Sequence, residues 1–284
     1  MQWRGRRTSS NIEDRRAGGG GSRGPGGGLG IGATIVVLLI GAYFGVDVTP
    51  FLSGGTGSVA SAPEPSGPNA IDDDEEAFVA TVLGETEEVW TALFSQAGQR
   101  YSPTTLVLYR GGTTSACGSA QAAMGPFYCP GDQRVYLDTA FFRVMEQQLN
   151  AGGEFANAYV IAHEVAHHVQ NLTGTLGEVN ARRQRVSERE SNALSVRIEL
   201  QADCYAGLWA RSAARRLALT EADIRQALAT AARIGDDALQ RAAGGAVVPD
   251  SFTHGTSDQR QRWFFTGYRG GDLAACDTFA ARTL

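Results

Sequence analysis

His163-Glu164-Val165-Ala166-His167 places two imidazoles four residues apart, with a carboxylate beside the first. Phe155, Ala158, Tyr159, Ile161, Ala162, Val165 and Val169 recur around them at helical spacing, so the pentapeptide lies on a helix. Residues four apart on a helix sit one turn apart on nearly the same face, and both rings can reach a single metal ion. Glu164 falls on the neighbouring face. From there it can touch a metal-held water rather than the metal, and take a proton from water that Zn2+ has made acidic. Two histidines side by side in an apolar helix need a partner, which weighs against a chance match. His168 falls on another side of the helix and is expected at the surface or behind the site, not as a ligand.

A catalytic zinc takes three protein ligands and keeps a further position for water or substrate. The longer HExxHxxGxxH pattern is excluded, because Gln170 and Thr173 stand where its Gly and His would be. Farther on, Glu199-Leu200-Gln201-Ala202-Asp203 offers two acids four apart, in a segment that is apolar nearly all round. Unpaired carboxylates in a buried helix are costly, and a zinc ion with its ligating histidine removes that cost. Glu199 is therefore expected to complete a His2Glu site with His163 and His167. Asp203, one turn on, can accept the spare ring N–H of His163 and fix its tautomer. His254, in Ser251-Phe252-Thr253-His254-Gly255-Thr256-Ser257, has two open readings. One is a helix-capping loop; the other is a catalytic donor to the oxyanion formed when water attacks a carbonyl, a role for which Tyr205 competes.

The elements that must carry these residues are mostly helices. Asp72–Glu76 and the apolar repeat from Phe78 to Phe94 predict a first helix, with its acids at the N-terminal end. Thr105–Tyr109 reads as a strand, and Phe127–Cys129 and Arg134–Asp138 flank Pro130-Gly131-Asp132 as a hairpin. From Thr139 helices are expected over 139–149, 154–171, 188–217 and 220–235, with a last one beginning near Thr256. The fold class is thus α+β, predominantly helical, with a small strand region.

The chain has 284 residues with a net charge of −5, unevenly distributed. Residues 1–28 hold six Arg against Glu13 and Asp14, and the remainder is acidic, which argues against nucleic acid as a partner. Residues 1–28 are also rich in Gly and Ser and read as a flexible basic tail. Residues 29–46 carry no charge until Val46 and read as one transmembrane helix; 47–70 read as a linker and 71–284 as the metal-binding domain. The Arg asymmetry predicts a single-pass protein of the cell membrane, N-terminus cytoplasmic and domain outside. In that oxidising setting the four cysteines are expected to pair as Cys117–Cys129 and Cys204–Cys276. The competing view is four buried thiols, or Cys204 as a metal ligand.

The segments GPFYCPGDQRVYLDTAFF, YVIAHEVAHHVQNLTG, ELQADCYAGLWA and SFTHGTSDQRQRW, in this order, resemble a bacterial family known as the "putative neutral zinc metallopeptidase" family, membrane-anchored members of the gluzincin-type zincins. The resemblance covers residues 70–284 and most of the anchor, and leaves out the Gly/Arg-rich tail. It implies a zincin-like domain holding one Zn2+ through His163, His167 and Glu199, with Glu164 as catalytic base. The expected function is a membrane-anchored metallopeptidase that hydrolyses peptide bonds of a peptide or protein substrate with zinc-activated water. The alternative is a non-catalytic, zinc-stabilised interaction domain tethered to the membrane.

Overall fold

A computed structural model describes residues 1–16, 71, 73–121 and 125–284. In chain order the strands are β1 (Ile12–Asp14), β2 (Thr105–Tyr109), β3 (Gly112–Ser115), β4 (Gly118–Gln121), β5 (Phe127–Cys129) and β6 (Arg134–Asp138). The α-helices are α1 (Asp74–Gln96), α2 (Ala140–Gln147), α3 (Glu154–Leu172), α4 (Thr175–Arg183), α5 (Glu188–Ala213), α6 (Glu221–Arg233), α7 (Asp236–Ala242) and α8 (Ser257–Gly270). The described residues are therefore α+β with helix predominating, as the residue pattern indicates.

One sheet has the order β1-β2-β6-β5. Its first three strands run parallel, and β5 closes one edge as the antiparallel hairpin partner of β6, with Phe127 opposite Tyr136. The period-two alternation of a strand sends successive side chains to opposite faces. Leu106, Leu108, Val135 and Leu137 accordingly join the main core, while Val107, Tyr109, Tyr136 and Cys129 form a smaller cluster on the other face. A separate hairpin pairs β3 with β4. The Cys117–Cys129 disulfide ties its turn to β5.

Helix α3 runs through the centre of the domain, packed on α1, α5 and α6 and against β5 and β6. It ends at Thr173, and Gly174 then takes the left-handed conformation (φ 84°) that starts the turn into α4. Helix α5 opens with a capping box in which Ser187 and Glu190 satisfy each other's free backbone N–H groups, and Thr256 with Gln259 does the same for α8. Helices α5 and α8 approach to backbone contact. A Cβ on Gly207 would lie 1.9 Å from the Phe264 carbonyl oxygen, and one on Gly267 would lie 1.9 Å from that of Cys204. Only glycine at both positions permits this crossing. The Cys204–Cys276 disulfide then fastens the C-terminal segment to α5. Both bonds pair the cysteines as the sequence suggests, and Cys204 is not a metal ligand.

The N-terminal expectation needs correction. Residues 1–16, read above as part of a flexible tail, are built into the domain. Trp3 and Ile12 belong to the main core, and β1 pairs in parallel with β2, Ile12 opposite Leu106. Trp3 Nε1 donates to Glu154 at the start of α3 (3.0 Å). Arg6 binds Glu85 at 2.8 Å and Arg7 binds Glu87 at 2.8 Å, both acids being buried in α1. These arginines supply the countercharges that α1 needs to be buried on nearly every side.

The expected transmembrane helix at 29–46 lies outside the described residues, as does the 47–70 linker. Among the described residues no helix is long and apolar enough to cross a membrane. A single-pass anchor between β1 and β2 would also put two hydrogen-bonded neighbours of one sheet on opposite sides of a bilayer. The single-pass arrangement with a cytoplasmic N-terminus and an outside domain is therefore not supported.

Candidate metal centre and its surroundings

The central position of α3 sets the site. His163 and His167 stand one turn apart with ring centroids 4.9 Å apart and planes at 90°. Across from them α5 brings Glu199, whose Oε2 lies 3.1 Å from His163 Nε2 and whose Oε1 lies 3.5 Å from His167 Nε2. One ligand atom from each of these three residues falls within 4.8 Å of the others. A tetrahedral metal with bonds of about 2.1 Å spaces its ligand atoms about 3.4 Å apart, close to the separations found. Two imidazole nitrogens and one carboxylate oxygen are also a donor set that suits zinc, and three protein ligands is the number typical of catalytic zinc sites. The residues present fit a metal ion.

Asp203, one turn beyond Glu199, has no exposed surface and accepts four hydrogen bonds. His163 Nδ1 (2.9 Å) and the Tyr159 hydroxyl (2.5 Å) donate to Oδ1. Arg260 grips both oxygens, Nε to Oδ2 at 2.8 Å and Nη2 to Oδ1 at 3.0 Å. A carboxylate only accepts, so Nδ1 of His163 carries a proton toward Asp203 and Nε2 is the ring atom turned toward Glu199. Burial pushes the Asp203 carboxyl up, but the charges of Arg260 and His163 outweigh it and bring the pKa down to about 2. The compensating cation for this buried acid is thus Arg260, a role the sequence did not disclose. Arg260 reaches it because α8 crosses α5 at Gly207 and Gly267.

For His163, burial works against the charged ring, yet Asp203 and Glu199 prevail and lift the pKa to about 10 in the metal-free protein. Burial likewise raises Glu199, but His167, His254 and His163 override it and hold the carboxyl far below its ordinary range. Glu164 behaves oppositely. It is 8% exposed, and burial raises its pKa despite the lowering influence of His167 and His163.

His254 lies on the loop between α7 and α8. Its Nδ1 is 3.2 Å from Asp236 Oδ1 and 3.0 Å from the Thr253 hydroxyl. The other oxygen of Asp236 accepts the backbone N–H groups of Thr253, His254 and Gly255 at 2.8, 2.7 and 2.9 Å. Burial lowers the His254 pKa, but Glu199 and Asp236 reverse this and raise it above its ordinary value. The loop thus caps α8 through Thr256 and also holds an imidazole within the field of Glu199, so the two readings of this segment are compatible. Tyr205 is elsewhere. It packs edge-on against Trp90 and lines a cavity of about 560 Å³ with Gln201, Arg182 and Asp277, on the face of α5 that turns away from Glu199 and Asp203.

His168 is 1% exposed and no surface residue. Its Nε2 donates to the Ser102 carbonyl (2.7 Å) and its Nδ1 accepts from the Tyr128 hydroxyl (3.1 Å), which anchors α3 to the strand region. Nothing in the sequence sets Asp236 apart, because acids at a helix start are common, and Tyr159 reads as one more apolar position.

A family model described as "Putative neutral zinc metallopeptidase" matches residues 1–279. The match includes the basic N-terminal residues, so the shared pattern is longer than the four motifs suggested. Uncharacterized protein YpfJ of Escherichia coli (strain K12) is 46% identical over 288 residues, covering 98% of this chain and 99% of that protein. Uncharacterized protein Rv2575 of Mycobacterium tuberculosis (strain H37Rv) is 41% identical over 217 residues, covering 72% of this chain and 71% of that protein. No solved structure matches. With the family model spanning nearly the whole chain and a relative of this similarity along its full length, the protein belongs to the family described as "Putative neutral zinc metallopeptidase".

Proposed function

We propose that this chain is a zinc-dependent peptidase, with His163, His167 and Glu199 holding one zinc ion and Glu164 acting as general base. The supporting observation is the position of Glu164: buried beside both histidines, outside the ligand triad, with a pKa raised by burial. A zinc ion held there supplies Lewis acidity, lowering the pKa of water and polarising the carbonyl of a peptide bond.

The remaining work belongs to the protein. Glu164 accepts a proton from the attacking water, a transfer that its raised pKa favours. As the water oxygen bonds to the carbonyl carbon, negative charge develops on the carbonyl oxygen. In this reading His254 donates a hydrogen bond to that oxyanion, a role supported by its Nδ1 contact with Asp236 and its raised pKa. The C–N bond then breaks and Glu164 returns its proton to the departing amine, so that acid and carboxylate forms alternate within one turnover. Asp203 keeps His163 in the tautomer that presents Nε2.

A purely structural zinc site, the basis of a non-catalytic reading, would be closed by four protein ligands. Among the described residues only three group closely enough, and Glu164 would have no task. The deciding experiment uses casein and a metal chelator. Cleavage should disappear on chelation, return with zinc, and be absent from Glu164→Gln even though that variant still binds zinc. Unchanged cleavage by Glu164→Gln would exclude the mechanism.

A further inference from the structure

His163 and His167 are backed by different chemistry. Behind His163 stands the carboxylate of Asp203. Behind His167 stands an amide: His167 Nδ1 lies 2.9 Å from Oε1 of Gln170, three residues farther along α3 and fully buried. The orientation of that amide is dictated from its far side. Gln170 Nε2 donates to the Ile198 carbonyl oxygen at 2.8 Å and to Gln201 Oε1 at 3.0 Å. Gln201 is itself aligned, because its Nε2 donates to the Cys276 carbonyl at 3.2 Å. A backbone carbonyl only accepts, so the nitrogen of Gln170 must face α5 and its oxygen must face His167. That oxygen also only accepts. The proton of neutral His167 therefore sits on Nδ1, and the free lone pair sits on Nε2, the atom 3.5 Å from Glu199.

We infer that Gln170 is a positioning residue for the metal centre: it fixes the tautomer and ring orientation of His167, and it ties that ring to the carbonyl immediately before Glu199. The inference rests on the zinc-peptidase reading for its purpose, though not for its geometry. Nothing in the HExxH pattern calls for an amide at this place, and the same position reads from sequence only as a departure from the longer HExxHxxGxxH motif. The choice of amide over carboxylate follows from its neighbours. A carboxylate at position 170 would meet two acceptors on α5, Ile198 O and Gln201 Oε1, in a region that already holds the acids Glu164, Glu199 and Asp203 with Arg260 as countercharge.

Two variants separate positioning from simple support between helices. Gln170→Met removes both the acceptor for His167 and the donor to α5. Gln170→Glu removes the amide donor but keeps an acceptor for His167. Both should lower thermal stability. Zinc affinity, read by competition with a chromophoric chelator, should fall about 10–100-fold in Gln170→Met and stay within about threefold of the parent in Gln170→Glu. Two-bond 1H–15N correlation spectra of the metal-free proteins, at a pH where the ring is neutral, should show the Nδ1–H tautomer of His167 in the parent and in Gln170→Glu. Both tautomers should appear in Gln170→Met. An Nε2–H tautomer in the parent overturns the inference without any variant. Equal weakening of zinc binding in the two variants, or none in Gln170→Met, overturns it as well. Absence of peptide cleavage by the zinc-loaded parent would instead remove the peptidase reading, while the affinity and tautomer results would still decide the role of Gln170.

Discussion

Replacing Arg260 with Met tests how the metal centre is supported, because it keeps the unbranched apolar stem of the side chain and removes the charged guanidinium. In the parent, Arg260 supplies two of the four hydrogen bonds that Asp203 accepts and carries the nearest permanent positive charge. Both groups are almost fully buried, so water cannot replace what is lost. Removing one partner of a buried pair costs about 3–5 kcal/mol. In a domain of this size that corresponds to a fall in Tm of roughly 6–20 °C. The pH dependence carries a sign that can be checked separately. With its folded pKa at about 2, below the ordinary carboxylate value of about 3.9, Asp203 contributes stability above pH ~4 that is lost as pH falls through 2. The contribution is about 2–3 kcal/mol. Without Arg260, burial pushes the Asp203 pKa back up, and protonation relieves the variant at a higher pH than the parent. Urea unfolding with chelator present, at pH 7.5 and pH 4.5, should therefore show a gap between parent and variant that narrows on acidification. Arg260→Lys, which keeps the charge and loses the two-point grip, should fall between them. A cost under about 1 kcal/mol at pH 7.5, or a gap that widens at pH 4.5, would refute this account of the pair.

Other expectations follow from the same geometry. His254→Gln should lower kcat by on the order of 10²–10³ with little change in KM. Because the pKa of His254 is raised above its ordinary value, its protonated donor form is lost only as pH rises through that raised pKa, so the alkaline limb of the parent profile should be missing in the variant; a variant retaining that limb would dissociate His254 from the oxyanion. Tyr205→Phe should leave turnover within about twofold, since an oxyanion donor would cost far more and Tyr205 faces away from the ligands. Replacing Cys204 and Cys276 by Ser should cost about 4 kcal/mol, against about 3 kcal/mol for Cys117 with Cys129, because the first pair closes a separation of 72 residues and the second one of 12. Urea midpoints in the opposite order would rule out the chain-entropy basis of those figures. Deleting residues 1–16 should leave Glu85 and Glu87 short of partners and open the Trp3 slot; a shortened chain that melts with the parent would contradict the packing of this segment.

The parts of the site legible in the sequence share a property. His163, Glu164, His167, Glu199 and Asp203 are charged or titratable groups set within strongly apolar helices, where spacing alone fixes which side chains share a face. Their local pattern needs no knowledge of the rest of the chain. Arg260 and Asp236 are different. An arginine in α8 and an aspartate opening α7 look like ordinary solvated or capping residues until the tertiary fold buries them. The burial of Arg260 depends on Gly207 and Gly267, which are 60 residues apart in the chain and carry no meaning singly. Gln170 likewise gains its role from Ile198 and Gln201 on another helix.

The N-terminal residues show the same limit of local reading from the opposite direction. Composition marks residues 1–28 as unable to form a core by themselves, and that remains sound for a segment standing alone. It does not exclude completing a core that another segment leaves unfinished. Helix α1 carried the relevant signal: Glu76, Glu85 and Glu87 sit among Phe78, Val79, Val82, Leu83 and Val89, and all of them are buried. Acids in such a helix require cations from outside it, and the chain has no Lys. The Arg-rich start supplies them, and Ile12–Asp14, too short to be recognised as a strand, gains its hydrogen bonds from the edge of β2. Unpaired acids in an apolar helix are thus a demand that some other segment must meet. In α5 the same reasoning points to a metal ion for Glu199 and to the spare N–H of His163 for Asp203. The structure gives Asp203 that bond and adds Arg260 as its countercharge, while Glu199 faces the two histidines.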